Sequence, residues 1–410
     1  MTAIAERLRG PIATPKHVGV AGIVLGIAAF WVALPPIHAR SLVVPVLLAA
    51  GGVAAGIYST INKGSVRAGW SAIVIGVLGI GLAYLATRSS VDNLEIVFTW
   101  SSLIAAMLVF ATPLVYASLG GIFSERSGVV NIGLEGMMLM GAFWGIWGAD
   151  VTGSWVTGVL IGMAAGGLMG LIHAFFSIQL RADQIIGGTA INLLALGITG
   201  YAFVQIYGEQ NIPAGVSEIP RLNLSFLASV PPDTLGDFLF EAFGRLSAMI
   251  WIGFIMVAVA HFVLFKTPLG LRIRSCGEHP RAADTVGISV YGIRYGAVTL
   301  SGILAGAGGA FLSVGVISSF NEGMTGGRGF IALAAVIFGN WRPFGAFGAA
   351  CLFGFSTALA FRLGNAYGDS VAGLDVVAQM LPYVLTLIVV AGVIGKSAPP
   401  AAVGRPYTKQ

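Results

Sequence analysis

The stretch "GGIFSERSGVVNIGLEGMMLMGAF", residues 120–143, decides how the chain is read. A Gly- and Ser-rich polar break interrupts an apolar run. Beyond it Glu135 stands among Leu134, Met137, Met138 and Leu139, one helical turn after Asn131. An ionised carboxylate at a bilayer centre costs about 2.5 to 3.5 kcal/mol on insertion scales, so such a residue normally faces a protein interior, a partner or water.

The rest of the chain has the composition of a membrane protein. Its 410 residues are 56% hydrophobic and only 10% charged, with 59 glycines, and its mean hydropathy is +0.89, far outside the soluble range. The net charge of +5 is scattered between apolar runs, as loop enrichment would place it. The lipid bilayer, and no nucleic acid, is therefore the expected surface partner. Two cysteines, Cys276 and Cys351, give neither a disulfide framework nor a CxxC metal pattern. The opening "MTAIAERLRGPIATPKH" and the apolar run Val18–Pro35 lead directly into a second apolar run, and are read as a retained first span.

Spanning helices need about 20 mostly apolar residues. Candidates lie at 18–37, 41–60, 68–87, 96–120, 129–148, 154–177, 185–207, 246–265, 292–317, 327–341, 345–361 and 377–395. The expected fold is an all-α polytopic membrane protein with about 10–12 transmembrane helices, some of them interrupted. The segment 266–294 carries Lys266, Arg272, Arg274, Arg281 and Arg294 against Glu278 and Asp284. In contrast, 208–245 carries Glu209, Glu218, Asp233, Asp237 and Glu241 against Arg221 and Arg245. The first is expected on the cytoplasmic side and the second outside, which also places the N-terminus (Arg7, Arg9, Lys16), the Lys63/Arg67 loop and the C-terminus (Lys396, Arg405, Lys409) in the cytoplasm.

Residues 315–339, "GVISSFNEGMTGGRGFIALAAVIFG", repeat the pattern of 120–143: a Gly-rich break, then a short apolar helix. With the preceding spans starting on opposite sides, this is the signature of an inverted repeat with interrupted helices. Ser301, Gly302, Ala305, Gly306, Gly309 and Ser313 give small-xxx-small spacing suited to close helix packing. Gly128, Asn131, Glu135 and Met138 have the spacing of one helical face, and Gln184, Gly188 and Asn192, with Thr189 beside them, make a second polar stripe. Such groups either border a pathway, bind the neighbouring broken helix, or pair across helices as structural glue.

In the loop "FKTPLGLRIRSCGEHPRAADTVGISVYGIR", Pro280 suits the first turn of a helix of about seven residues and Gly287 its stop. This loop carries a resemblance. "GEHPRAADTVGI" (277–288) closely resembles the Glu-x-Pro-x-Ala-Ala coupling-loop signature of the permease subunits of ABC importers for simple sugars and nucleosides, a branched-chain amino acid-like permease family. "TPLVYASLGGIFSERSGVVNIGLEGMM" (112–138) resembles its nucleoside branch, and "RADQIIGGTAINLLALGIT" (181–199) and "GGRGFIALAAVIFGNWRPFGAFGAA" (326–350) are similar as well. The resemblance spans roughly 94–396, which divides the chain into an N-terminal extension (1–93) with about three spans, a permease domain (94–396) and a cytoplasmic tail (397–410).

The resemblance implies a bacterial cell-membrane importer in which two permease chains, identical or paralogous, form the pathway. An ABC ATP-binding subunit binds and hydrolyses ATP, and an external lipoprotein or periplasmic binding protein delivers the substrate. No cofactor is expected on this chain, and no enzymatic activity. Glu278, Pro280, Ala282, Ala283 and Gly287 would dock the ATPase; His279 stands where Asn is common. Asn131, Glu135, Gln184, Thr189 and Asn192 offer hydrogen bonds along a nucleoside pathway, and Phe143 and Trp144 offer ring faces. On this reading Glu135→Gln keeps most hydrogen bonds and leaves substantial transport.

Two other signals fail. "GVIGKS" (392–397) ends like a P-loop, but Val390 stands where its first glycine belongs and no strand precedes it. His17, His38, His173, His261 and His279 are widely separated, with no HExxH. The rivals are a permease for sugars such as ribose or galactose, and an ion-coupled carrier using Glu135.

Overall fold

The computed structural model describes residues 15–32, 42–62, 66–88, 99–208, 216–224, 235–367, 380 and 397–409. The expected span at 377–395, apart from Met380, and Arg7, Arg9, Lys63, Glu209, Asp233 and Lys396 lie outside them. The described residues form fourteen α-helices: α1 (Pro15–Val32), α2 (Val43–Ile61), α3 (Val66–Arg88), α4 (Trp100–Arg126), α5 (Leu134–Thr152), α6 (Trp155–Ala174), α7 (Gln184–Tyr207), α8 (Leu235–Phe243), α9 (Ala248–Lys266), α10 (Pro268–Glu278), α11 (Pro280–Thr285), α12 (Val290–Ala310), α13 (Arg328–Phe338) and α14 (Pro343–Tyr367). π-helical turns extend α6 over Phe175–Gln179 and α12 over Phe311–Ile317. Seven of these elements are long and apolar enough to cross a membrane: α2, α4, α6 and α12 with their π turns, α7, α9 and α14. The chain is an all-α polytopic membrane protein.

Two compact units are present, residues 1–103 with 359–395 and residues 104–358 with 396–410. In the first, α1, α2 and α3 pack on one another through small residues. A Cβ on Gly22 would fall 2.8 Å from the Gly52 carbonyl oxygen, and one on Gly56 would fall 2.7 Å from that of Gly69. Val24, Leu47 and Trp70 point outward, the arrangement expected of a bundle solvated by lipid.

The second unit is organised around α5, which has thirteen of its nineteen residues buried. α6 and α12 cross beside it with their backbones touching. A Cβ on Gly302 would lie 2.3 Å from the Gly166 oxygen, and one on Gly306 would lie 2.4 Å from that of Gly162. The small-residue spacing of α12 is thus used as its sequence suggested. Ser313 Oγ adds a hydrogen bond to the Ala142 carbonyl at 2.7 Å. Lipid tails are as apolar as leucine, so this packing, and not water exclusion, holds the three helices.

Both Gly-rich stretches interrupt the helices as expected. Residues 127–133 separate α4 from α5, and residues 318–327 separate the π turn after α12 from α13. The backbone enters the left-handed region at Gly128 (φ 99°) and again at Gly327 (φ 82°), which glycine adopts without a Cβ clash. The expected helical face through Gly128, Asn131, Glu135 and Met138 therefore does not exist: α5 begins at Leu134, and Asn131 belongs to the break.

Candidate functional site

An irregular backbone inside a packed protein needs partners for its buried N–H and C=O groups. The first break meets this demand with side chains from two helices, α6 and α7. Gln184 Oε1 accepts the Val130 N–H at 2.8 Å, His173 Nε2 bonds the Val130 carbonyl at 3.0 Å, and Asn192 Nδ2 donates to the Ile132 carbonyl at 3.1 Å. A carbonyl partner fixes the proton of His173 on Nε2. Asn131, fully buried, donates from Nδ2 to Ser301 Oγ at 2.8 Å.

The starts of α5 and α13 share a device. Each N-cap is a glycine, Gly133 and Gly327, with no side chain to cap the first turn, although a helix start leaves four N–H groups unpaired. The caps come from elsewhere. Asn192 Oδ1 accepts the Gly136 N–H at 2.8 Å, while the Glu135 carboxylate accepts the Gly327 N–H at 2.8 Å and the Gly329 N–H at 2.6 Å. A Cβ on Gly329 would come 2.4 Å from the Glu135 nitrogen, so the two N-termini abut. Each carries about half a positive elementary charge, and Glu135 places its negative charge between them.

Of the residues singled out in the sequence, Asn131, Glu135, Gln184 and Asn192 come together at the breaks. Thr189 does not join them. It is exposed and bonds back to the Ile185 carbonyl at 3.0 Å. Phe143, fully buried, meets Trp144 and Phe320 edge-on with ring centroids 5.2 and 5.1 Å apart. Phe203 lies 5.4 Å from Phe320. Phe320 and Phe203 were not singled out; no spacing marks them, because their cluster forms only when the second break lies against α5 and α7. Asn192→Ala is expected to leave the Gly136 N–H and the Ile132 C=O unpaired at a cost of about 1–3 kcal/mol, measured as a lower thermal midpoint in detergent.

The loop after α9 holds two helices where one was expected. Thr267 caps α10 by accepting the Gly270 N–H at 3.2 Å, and Pro268 follows at its first position. α11 starts at Pro280 as expected, spans six residues, and ends before Gly287 (φ 83°). Glu278, Ala282 and Gly287 are exposed and Pro280 is half-buried. Ala283 is not outward: it is 3% exposed and packs with Cys276, Val290 and Tyr407. Gly277 abuts the end of α4, where a Cβ would lie 2.2 Å from the Arg126 carbonyl oxygen. Arg126 Nη1 lies 3.9 Å from Glu278 Oε1, and its Nε donates to the Trp341 carbonyl at 3.1 Å. The Trp341 indole N–H in turn bonds Glu125. One arginine, at the end of α4, thus touches the end of α10 and the turn after α13.

A closely packed helix core with two broken helices, and a paired-helix loop seated on one of the breaks, is an arrangement suited to a membrane permease. Over residues 103–390 the chain matches the family described as branched-chain amino acid transport system / permease component, and it belongs to that family. Among its relatives, it is 42% identical to the guanosine ABC transporter permease protein NupQ of Bacillus subtilis over 326 residues, 77% of this chain and 99% of that one. It is 39% identical to the nucleoside ABC transporter permease protein NupC of Lactococcus lactis subsp. cremoris over 327 residues, again 77% and 99%. A protein of Haloferax volcanii provisionally named a glucose ABC transporter permease, TsgC13, is 38% identical over 266 residues, 64% and 78%. No solved structure matches the chain.

Proposed function

We propose that the chain is the membrane-spanning subunit of an ATP-driven importer of nucleosides in the bacterial cell membrane, with both termini cytoplasmic. The observation that carries the substrate class is the similarity to the guanosine and nucleoside permeases, which extends over 99% of the length of each. A partner ATP-binding subunit supplies ATP binding and hydrolysis, a second permease chain completes the pathway, and an external binding protein delivers the nucleoside. This chain transports without chemistry of its own, residues 94–396 forming the permease domain and 1–93 an added unit.

In this reading the exposed side of α11, with Pro280 and Ala282, and the flanking Glu278 and Gly287 receive the ATPase, and Ala283 holds that helix from behind. Displacement of α10 and α11 reaches the end of α4 through Gly277 and Arg126. Two states of the permease pair then differ in how the abutting starts of α5 and α13 are packed. N-terminus meeting N-terminus is the geometry that an inverted repeat gives. Asn131, Glu135, Gln184 and Asn192 border the pathway as the groups that shape its irregular backbone. Trp144, half-buried beside Phe143, and the exposed Thr189 are the side chains left to face a nucleoside.

Uptake of labelled guanosine by cells carrying the complete system tests the substrate class. Excess unlabelled nucleosides are expected to abolish it, and excess ribose, galactose or glucose to leave it unchanged. Sugar uptake insensitive to nucleosides would favour the sugar reading, whose support is the similarity to the Haloferax protein.

A further inference from the structure

Residues 397–409, expected only as a cytoplasmic tail, are laid across the elements that the proposed mechanism must move together. Ser397 Oγ donates to the Ile337 carbonyl at 3.4 Å and the Ala398 N–H to Asn340 Oδ1 at 3.2 Å, both at the end of α13. The Ala401 N–H donates to Glu278 Oε2 at 3.1 Å and the Ala402 N–H to the Gly277 carbonyl at 2.8 Å, at the end of α10. The Gly404 N–H reaches the Gly128 carbonyl in the first break at 3.2 Å. Arg294, 2% exposed, donates from Nη1 to the Arg405 carbonyl and from Nε to the Ser127 carbonyl, each at 3.1 Å. Tyr291 Oη donates to the Tyr407 carbonyl at 3.2 Å, with the two rings 5.6 Å apart. Tyr407 is 7% exposed and packs with Cys276, Ala283 and Val290.

Ordering a segment outside regular structure costs conformational entropy at every residue, and terminal segments stay loose unless tied down. This one is tied at four places, each on a different element. We infer that residues 397–409 are a strap that positions the coupling helices α10 and α11 against the first break and α13, with Tyr407 and Arg294 as positioning residues. Movement of α11 is thereby delivered to the first break and to the end of α13 at once instead of being absorbed by the loop. The back of α11 is Ala283, which shares a buried cluster with Tyr407, Cys276 and Val290. Removing the Tyr407 ring leaves α11 able to follow the ATPase without pulling the core. The inference rests on the importer reading of this loop.

The complete importer in proteoliposomes gives the test as guanosine taken up per ATP hydrolysed, a ratio that a loss of folded protein does not change. Tyr407→Ala and removal of 399–410 are expected to lower that ratio by roughly tenfold while ATP hydrolysis continues. Tyr407→Phe, which keeps the ring against Tyr291 and in the cluster with Ala283, is expected to retain most of it. An unchanged ratio in both damaged variants, or a fall in protein amount alone, overturns the strap. If the unaltered importer moves no guanosine, the importer reading fails separately, and amide hydrogen exchange then judges the strap. Ala402 and Gly404 are expected to be protected, and Tyr407→Ala to speed exchange across 277–287 by about tenfold. Unaltered exchange there overturns it.

Discussion

Glu135→Leu is expected to abolish uptake and most of the folded protein, and Glu135→Gln to do nearly as much. The leucine leaves the Gly327 and Gly329 N–H groups unpaired in a partly buried setting, at up to about 1–3 kcal/mol each, and removes the negative charge between two helix starts, worth up to about 2 kcal/mol for each helix in favourable geometry. That sum is a large part of a typical stability of about 5–15 kcal/mol. Glutamine fares little better, because both carboxylate oxygens accept an N–H. Its one carbonyl oxygen serves one donor, and its NH2 group is turned against the other. The sequence reading, in which Gln keeps most hydrogen bonds, is revised for this reason. Protein amount and thermal midpoint in detergent, measured beside uptake, separate this from an ion-coupling role. A Gln variant as stable as the native chain, but inactive, would instead assign the charge to transport.

Ala282→Arg is expected to abolish nucleoside-stimulated ATP hydrolysis by the assembled importer while the chain inserts and folds normally. Ala282 is exposed on α11, where a long cationic side chain holds off a partner that must approach a small residue. Ala283→Arg is a different experiment. Its Cβ is buried in the cluster with Cys276, Val290 and Tyr407, so arginine there displaces α11 itself, and loss of folded protein precedes any loss of docking. Wild-type stimulation in the Ala282→Arg importer would remove this face as the ATPase contact.

What the sequence disclosed and what it hid divide by the range of the signal. Both breaks are visible because Gly128 and Gly326–Gly327 supply backbone conformations that other residues resist. The start of α11 shows in Pro280, and the α6–α12 crossing in glycines one turn apart. The start of α10 was equally legible in Thr267–Pro268, an N-cap followed by a proline at the first helical position. The polar face through Asn131 and Glu135 was misread because a three-to-four residue spacing has helical meaning only where the helix is continuous, and here it is counted across a break. Gln184 and Asn192 do share one face, and the structure turns that face on the break's backbone. The partners of Glu135 could not be read at all. They are main-chain N–H groups, which every residue but proline possesses, and only the fold says which two are at hand. The strap is hidden for the same reason: its contacts run mostly through its backbone, and no periodicity marks it.

The cap that Glu135 supplies also sets an order on synthesis. Its first acceptor contact is with a residue 192 positions further along the chain, a length that takes about 10 to 40 s to translate at common rates of elongation. Through that interval the start of α5 is already made while the N–H groups that answer its carboxylate are not. The broken helix of the first half is therefore finished by the second, and the membrane receives an acidic residue whose N–H partners arrive only with the last third of the protein.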